Sequence, residues 1–402
     1  MSNRWWPDTA SYSEFLSPSL IVGGRGSSSQ VAELLRDRLG IALGSVLVVA
    51  DDVVLAHGLA GSLLTGLRDA GYDVIVSSGF GSEPSTEVID AAAAEARAVN
   101  AQVVVGIGGG SVLDSSKLLA LLLRNEGESA DWLGVVEPPL GVAPLLLIPT
   151  TCGTGSEASR VAMVTTHGSK RASSCAQYVP TAVVIDPDLV ATLPRQVVAA
   201  TAMDALAHAV ESLMSTSHSP MSTHNAYHAI QLIVGNVERA AQGDADAAGA
   251  CLWASHMGGQ ALNAGVVVGH SLAYCLAHER SLPHGVTCAV VLPYAIAYNQ
   301  NLEPGLARAL ASSLTDGATT SLHDAAVAVR DLTARLGLPT TLDEAGLPAD
   351  TETAMAAQCV TDYPRPTNPE PLDQDRIESL LRTMRTGDLD TAFTVTARGT
   401  QR

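Results

Sequence analysis

The chain has 402 residues, of which 47% are hydrophobic, so a large buried core and two domains are expected and wholesale disorder is not. Its formal net charge of −18 argues against nucleic acid as a partner, because phosphate binding needs patches of Lys and Arg. The start of the chain lacks the pattern of a signal peptide, and no apolar run reaches the ~20 residues of a membrane span, so we expect a cytoplasmic protein. Six cysteines without a Cys-x-x-Cys pair predict buried, reduced thiols.

The first half of the chain alternates between apolar runs and helical patterns. Four apolar runs are predicted to be strands, the first of them a buried parallel strand: Ser45–Ala50, Asp73–Ser77, Gln102–Ile107 and Pro144–Ile148. Helices are predicted from the first strand to about Asp69, over Ser85–Val99, and from Ser111 to just before Asn125. Shorter strands follow between Val161 and Ile185. This alternation is typical of a doubly wound parallel sheet.

The second half has a different pattern. Asp186-Pro187 interrupts the strand-like segments, and from Pro194 onward Ala and Leu recur at helical spacing. We therefore predict an α/β domain over residues 1–188 and an all-helical domain over residues 189–402. Residues 316–320 and 365–373 are predicted to be loops, and the chain beyond about Asp388 is predicted to be weakly structured.

Two glycine-rich turns follow predicted strands in the first domain. The first is Gly108-Gly109-Gly110-Ser111, with Asp114 and Lys117 just behind it, and the second is Pro149–Glu157. Glycines after a strand let the backbone approach a bulky anion, and exposed N–H groups with the start of the next helix supply positive potential. Two such turns predict a nucleotide or another diphosphate at the carboxyl edge of the sheet.

A few polar residues stand out in the apolar helices of the second domain. Asp204 and His208 are four residues apart and therefore share a helix face, and two further histidines, His270 and His284, follow. Each can be an ordinary core or loop histidine, and Asp204 and His208 can form a simple hydrogen bond. An Asp and three His together would also suit a borderline divalent metal.

The order of these motifs resembles that of the iron-containing (group III) alcohol dehydrogenases. The family's G-G-G-S-x-x-D-x-x-K begins here at Gly108, and its P-T-T-x-G-T-G-S-E is complete at Pro149–Glu157. Its D-A-x-x-H-A-x-E begins at Asp204 and ends at Glu211, and its Pro-His-Gly surrounds His284. The similarity runs from roughly Pro18 to beyond Pro371, which is nearly the whole chain.

This resemblance implies an N-terminal α/β doubly wound dinucleotide-binding domain and an all-α C-terminal domain, the fold of dehydroquinate synthase. It also implies a metal, Fe²⁺ or sometimes Zn²⁺, and NADH or NADPH. The implied metal ligands are Asp204, His208, His270 and His284. The implied cofactor-binding residues are Gly108, Gly109, Gly110, Ser111, Asp114, Lys117, Thr150, Thr151 and Thr154. Asp51 after the first strand favours NADH by this resemblance, although an Asp there also suits a helix N-cap.

The chain departs from the family at one position. Most members have His-x-x-x-His where this chain has His270 and Tyr274, so the Tyr274 hydroxyl or His278 is a candidate proton relay. A buried tyrosine that only packs is the alternative. The variant is similar to branches that act on small anionic carbonyl compounds, notably phosphonoacetaldehyde reductases. For such a substrate Arg160 is the candidate cation, and the alternatives are Lys170, Arg171, Arg280 and Arg365.

The sequence therefore predicts metal-dependent, NAD(P)H-linked reduction of a small aldehyde to a primary alcohol, with phosphonoacetaldehyde giving 2-hydroxyethylphosphonate as the specific case. A homodimer or larger homo-oligomer is expected by the same resemblance. Three alternatives stay open: a general short-chain alcohol dehydrogenase, a sugar-phosphate cyclase related to dehydroquinate synthase, and a metal-free binding homologue. The low basic content and the Asp/His/His/His set argue against the cyclase.

Overall fold

The computed structural model of the protein describes residue 9 and residues 12–397. The chain divides into two compact units. The first unit is Leu16–Thr192, and the second holds the described residues from Leu193 onward together with those before Leu16. The domain bounds of 1–188 and 189–402 stay a prediction.

The first unit is built on a six-stranded sheet in which every neighbouring pair of strands is parallel. The strands of the chain are β1 (Leu20–Gly23), β2 (Ser45–Ala50), β3 (Asp73–Ser77), β4 (Val103–Gly108), β5 (Gly134–Val135), β6 (Leu145–Pro149), β7 (Val161–Thr166), β8 (Ser169–Ser174) and β9 (Ala182–Ile185). The order across the large sheet is β1-β9-β6-β4-β2-β3, and β5, β8 and β7 form a separate three-stranded sheet. The chain adds β3 on one side of β2 and β4, β6 and β9 in turn on the other, so the direction changes between β2 and β4, as in a doubly wound fold.

Helices connect these strands and cover both faces of the large sheet. They are α1 (Val31–Glu33, continued by a π-helical stretch over Leu34–Arg38), α2 (Asp52–Ala56), α3 (Gly61–Asp69), α4 (Thr86–Ala98) and α5 (Gly110–Leu122). Short 3₁₀ turns occupy Ser27–Gln30, Ser129–Trp132, Ser156–Ala158, Ala176–Tyr178 and Pro187–Leu189.

Alternate side chains of β2 divide between the two faces. Val46 and Val48 pack in the core that contains Leu67 of α3, whereas Leu47 and Val49 pack in the core that contains Ile89 of α4. This period of two follows from the pleat, and burial on both faces explains why the strand is apolar throughout. The predicted α/β architecture is confirmed.

Two strands were not predicted from the sequence, and two helices were predicted as one. β1 and β5 have only four and two residues, too few for a clear apolar pattern. The helix predicted to run to about Asp69 is divided between α2 and α3, because Gly58 adopts a left-handed backbone with φ +68°.

The second unit is helical from Leu193 to the last described residue, and no strand occurs in that range. Its helices are α6 (Arg195–Met214), α7 (Pro220–Ala241), α8 (Ala245–Leu262), α9 (Val268–Glu279), α10 (His284–Tyr298), α11 (Pro304–Leu314), α12 (Leu322–Arg335), α13 (Glu352–Thr361), α14 (Gln374–Thr386) and α15 (Leu389–Thr396). The predicted loops at 316–320 and 365–373 are confirmed, since neither range contains a helix or a strand.

The prediction of a weakly structured end beyond Asp388 is wrong for Leu389–Thr396, and its part over 398–402 lies outside the described residues. Asp388 caps α15 by accepting a hydrogen bond from the Thr391 N–H at 2.9 Å. At the other end of the helix, the Thr396 hydroxyl donates to the Ala297 carbonyl of α10 at 2.8 Å. Ala392 and Thr396 are fully buried, so packing orders a segment whose own sequence pattern is weak.

One helix among the described residues, α6, is long and apolar enough by composition to cross a membrane. Nearly nine-tenths of its most apolar stretch (89%) is buried inside the protein, and the core helix of a globular unit passes the same test. Its apolar character is therefore explained by its central place in the helical unit.

Candidate metal and cofactor sites

The side chains of α6, α9 and α10 converge on one carboxylate oxygen in the helical unit. The Oδ1 atom of Asp204 lies 3.7 Å from Nε2 of His208, 3.9 Å from Nε2 of His270 and 3.6 Å from Nε2 of His284. Asp204 and His208 share a face of α6 because they are one helical turn apart. His270 lies on α9, and His284 is the first residue of α10.

This convergence suits a divalent metal. Asp204 Oδ1 and His270 Nε2 are buried without a hydrogen-bond partner among the described residues, which is costly for polar atoms. Ligand atoms that share one ion at ~2.1 Å are about 3.4 Å apart, close to the observed separations. Three imidazoles and a carboxylate are a suitable donor set for Fe²⁺ or Zn²⁺.

A buried carboxylate orients one of these imidazoles from behind. The Nδ1 atom of His270 lies 2.6 Å from Oε1 of Glu211. Since a carboxylate accepts, Nδ1 donates, and the lone pair of Nε2 is left toward Asp204. The other oxygen of Glu211 accepts from the backbone N–H of Val267 at 2.8 Å and of His270 at 3.2 Å. Glu211 therefore fixes both the ring and the start of α9.

Two glycines allow this close packing. A Cβ atom on Gly269 would lie 2.5 Å from Oε1 of Glu211, so a side chain there would displace the carboxylate. A Cβ atom on Gly285 would lie 2.0 Å from the Ala200 carbonyl of α6. Gly285 thus lets the start of α10, and with it His284, approach the α6 backbone.

The charges around Asp204 set its protonation. Burial alone would raise the pKa of Asp204, but His208, His284 and His270 lower it, and the net pKa is below the usual value for Asp. The Cys288 thiol, one turn after His284, lies 3.5 Å from His284 Nε2. Burial and the nearby carboxylates of Asp204 and Glu211 raise the pKa of Cys288, so its thiol stays protonated.

Tyr274 lies beside the histidines, as the sequence spacing predicts. Its ring stacks on His284 with centroids 5.2 Å apart and planes 12° apart, and it meets the edge of His270 at 6.2 Å. Burial raises the pKa of Tyr274, so the phenol is protonated at neutral pH. His278 is exposed near the end of α9. The relay role of either residue stays a prediction.

The two glycine turns lie side by side in the α/β unit. The first joins β4 to α5, and the second follows β6, the neighbouring strand, in which Pro149 pairs with Gly108. The Thr150 N–H donates to the Gly108 carbonyl at 3.0 Å. A Cβ atom on Gly110 would lie 2.7 Å from Cγ2 of Thr154, so a glycine is needed where the turns meet. Gly109 precedes α5, and Ser111 in its first turn donates to the Ser82 carbonyl at 2.6 Å.

Asp114 and Lys117 bind the second turn to α5. Lys117 is fully buried, and its ammonium group donates to the hydroxyls of Ser156 at 2.9 Å and Ser159 at 3.2 Å. It also lies 2.6 Å from the Val161 carbonyl and 3.3 Å from Asp114 Oδ1. Burial lowers the pKa of Lys117, and Asp114 counteracts part of this shift. These contacts use all the donors of the ammonium, so Lys117 supports the two turns from within the protein.

Two further predicted residues of this unit have local partners. Asp51 caps α2, and its Oδ1 accepts from the Val54 N–H at 2.7 Å. Asp51 also follows β2, the neighbour of β4, so it lies at the same edge of the sheet as the first turn. Arg160 is half-buried just before β7. The roles of Asp51 and Arg160 in binding stay predictions.

Glu211 and Cys288 also belong to this cluster and were not predicted from the sequence to be part of the site. Glu211 stands in the quoted Asp204 motif, and its spacing of seven from Asp204, two helical turns, was the available signal. Cys288 is four residues after His284, which places both on one face of α10. The structure groups Asp204, His270, His284 and Cys288 as side chains able to hold one metal ion.

Comparison with known proteins decides the family. The family model for iron-containing alcohol dehydrogenase matches residues 18–187. The model for the C-terminal part of the Fe-containing alcohol dehydrogenase family matches residues 198–385. The chain belongs to the iron-containing alcohol dehydrogenase family. The expected family, the fold and the class of enzyme are confirmed: this is an iron-type, NAD(P)-linked alcohol dehydrogenase or aldehyde reductase.

Relatives of this family differ in the substrates that their names carry. Long-chain-alcohol dehydrogenase 1 of Geobacillus thermodenitrificans is 36% identical over 70% of this chain and 72% of its own. The 4-hydroxybutyrate dehydrogenase of Cupriavidus necator is 33% identical over 83% of this chain and 90% of its own. The crystal structure of sulfoacetaldehyde reductase from Bifidobacterium kashiwanohense in complex with NAD⁺ has a TM-score of 0.85 and 25% identity, covering 94% of this chain and 100% of that one.

Proposed function

We propose that this enzyme reduces a short aldehyde that carries an acid group, with phosphonoacetaldehyde as the first candidate and 2-hydroxyethylphosphonate as its product. The convergence of three imidazole nitrogens on Asp204 Oδ1 carries the catalytic part of the proposal. Two of the similar proteins are named for acid-bearing compounds, 4-hydroxybutyrate and sulfoacetaldehyde, which supports the substrate class.

The reaction transfers a hydride from the reduced nicotinamide to the aldehyde carbon and a proton to the oxygen, giving a primary alcohol and NAD(P)⁺. A divalent metal would polarise the carbonyl and stabilise the negative charge that develops on its oxygen. We assign its binding to Asp204, His208, His270 and His284. Glu211 holds the His270 ring with Nε2 free to bind, and the helices around it exclude water.

The cofactor is proposed to bind at the carboxyl edge of the parallel sheet. Gly108, Gly109, Gly110 and Ser111 would present backbone N–H groups and the start of α5 to the pyrophosphate. Thr150, Thr151 and Thr154 of the neighbouring turn would line the same site. Asp51 would accept hydrogen bonds from a ribose and repel a 2′-phosphate, so NADH is the preferred form. Asp114 and Lys117 support these turns from within.

The proton is proposed to reach the product through Tyr274, whose phenol is protonated at neutral pH and lies beside two of the histidines. His278 is the second candidate of the same pathway. From sequence order, Arg160 is the proposed cation that binds the acid group of the substrate. A cytoplasmic location and a homodimer or larger homo-oligomer also stay predictions.

The test compares aldehydes with the Fe²⁺-reconstituted enzyme. NADH and NADPH oxidation are followed with phosphonoacetaldehyde against propionaldehyde, which has the same chain length without the charge. A kcat/KM at least about 100-fold higher for phosphonoacetaldehyde supports the proposal, since a charge-assisted contact contributes about that much. Equal or faster turnover of propionaldehyde would reduce the function to a general short-chain alcohol dehydrogenase.

A further inference from the structure

Arg365 brings a positive charge next to the candidate metal ligands. It lies in the loop between α13 and α14, and its Cζ is 5.7 Å from the centroid of the Tyr274 ring. Tyr274 stacks on His284 at 5.2 Å. The guanidinium and a proposed metal ligand therefore contact the same aromatic ring. This contact joins residues far apart in sequence, so sequence order alone gave Arg365 no preference.

The charge of Arg365 has no acidic partner. It forms no salt bridge among the residues that the structure describes, and its Nε is buried without a hydrogen-bond partner. Two later arginines of the same unit, Arg376 and Arg385, are paired with Glu370 and Glu352. A buried guanidinium donor without an acceptor is costly, and an anionic ligand would supply the acceptor.

The metal ligands do not need this charge for balance. Asp204 and Glu211 are the carboxylates in contact with the histidine cluster, and together they carry two negative charges. A divalent ion would neutralise them. The positive charge of Arg365 is then not needed to balance these two carboxylates.

The backbone around Arg365 is fixed before any ligand arrives. Pro364 and Pro366 flank it, and each proline restricts itself and the residue before it. On one side the Ser271 hydroxyl of α9 donates to the Tyr363 carbonyl at 2.6 Å. On the other side Asn368 Oδ1 accepts from the Val268 N–H at 2.9 Å.

These two anchors both belong to α9, the helix that carries His270 and Tyr274. Asn368 is further held by reciprocal hydrogen bonds with Asn299, the residue that ends α10 as its C-cap, at 2.9 and 3.0 Å. The loop, α9 and α10 thus form one hydrogen-bonded frame. An arginine whose backbone is already fixed loses little conformational entropy when it binds an anion, which favours affinity and selectivity.

From this geometry we propose that Arg365, rather than Arg160, recognises the acid group of the substrate. The planar guanidinium offers paired N–H donors that match the oxygens of a carboxylate, sulfonate or phosphonate. The shared requirement is an oxyanion at the far end of a short aldehyde. This proposal rests on the proposed aldehyde reduction and specifies which substrates the same site prefers.

The experiment replaces Arg365 with Gln and uses two matched pairs of aldehydes. Phosphonoacetaldehyde is compared with propionaldehyde, and succinic semialdehyde with butyraldehyde, using the Fe²⁺-loaded enzyme. For R365Q we expect kcat/KM to fall about 100-fold with each acid-bearing aldehyde, mostly through KM, and to change less than about 3-fold with each neutral one. R365K should recover part of the loss, because lysine keeps the charge without the planar fork.

Two further variants serve as a competitor and a control. Arg160→Gln removes the rival cation, and a selective loss in that variant with none in R365Q would overturn the proposal. Arg308→Gln removes an exposed charge from α11 of the same unit and should change neither class of aldehyde. An equal loss with acid-bearing and neutral aldehydes in R365Q would indicate that Arg365 only packs on Tyr274, which would also overturn the proposal.

A binding measurement separates this proposal from the aldehyde reduction itself. The heat of binding of 2-hydroxyethylphosphonate is measured with the Fe²⁺-loaded wild type and R365Q. We expect binding to the wild type and affinity at least about 10-fold weaker in R365Q. If no aldehyde is reduced, the proposed function fails, yet this difference in affinity still supports Arg365 as the anion site. Equal affinity in both proteins, or none in the wild type, overturns it.

Discussion

Two buried charged residues, Lys117 in the α/β unit and Asp204 in the helical unit, have opposite surroundings. The ammonium of Lys117 contacts a carboxylate, two hydroxyls and a backbone carbonyl, all within 3.3 Å. Asp204 Oδ1 has no hydrogen-bond partner in the described part of the chain, although three imidazole nitrogens lie within 3.9 Å. A buried charge whose bonds are satisfied inside the protein supports structure. Buried oxygen and nitrogen atoms that lack hydrogen-bond partners and converge on one point indicate the binding site of an ion or another ligand.

The largest expected effect is at Asp204. Asp204→Asn removes the one carboxylate in the proposed ligand set, so metal content and aldehyde-dependent NADH oxidation should fall together. The loss in kcat should be at least about 10³-fold, because polarisation by a metal contributes several kcal/mol. Metal analysis and steady-state rates measure both. Asp331→Asn, which removes a half-exposed carboxylate paired with Arg330, is the matched control and should retain metal.

The next effect is at Lys117, and it should appear in stability. Lys117→Met leaves Asp114 and three acceptors without their buried donor, so the free energy of unfolding should fall by about 3–5 kcal/mol. Urea titration measures it. Lys170→Met in the same unit removes a partly exposed pair with Glu83, 3.4 Å apart, and should cost less than about 1 kcal/mol. Similar losses in both variants would show that burial does not distinguish the two lysines.

Tyr274→Phe tests the proton relay. If the phenol passes the proton, kcat should fall about 100-fold with metal content unchanged, in the range of general acid catalysis. Tyr227→Phe changes a buried tyrosine of α7 outside the histidine cluster and should leave kcat within about 3-fold. Unchanged turnover in Tyr274→Phe would remove the relay role from Tyr274 and turn attention to His278.

The smallest effect is expected at Glu211, which acts through His270. Glu211→Gln keeps the size of the side chain and weakens its hold on the His270 Nδ1 proton, so the affinity for Fe²⁺ should fall about 10-fold. Competition with a chelator measures that affinity. Glu238→Gln, which alters an exposed pair with Arg335, should leave it unchanged. Wild-type affinity in Glu211→Gln would mean that Glu211 only caps the start of α9.

Sequence patterns predicted the elements that repeat regularly and missed those that depend on distant packing. Four strands of the sheet follow from apolar runs, three of them buried and the fourth, β3, at the edge of the sheet. The two glycine turns follow from their composition. α15 was missed because its order comes from contacts of Thr396 with α10 rather than from its own pattern. The metal candidates followed from motif order, but Glu211 and Arg365 gain meaning only from their neighbours in space. Lys117 illustrates the converse, since its motif indicates a cofactor and its contacts indicate a support.

The most direct measurement is a titration of Fe²⁺ into the chelator-treated enzyme, with bound metal and aldehyde-dependent NADH oxidation followed together. We expect NADH oxidation to be absent without metal and to rise in proportion to the bound ion. The rate should reach its maximum at about one ion per chain. Asp204→Asn should show neither the binding nor the rise. Full turnover without metal, or metal binding that is unchanged in Asp204→Asn, would contradict the assignment of the site.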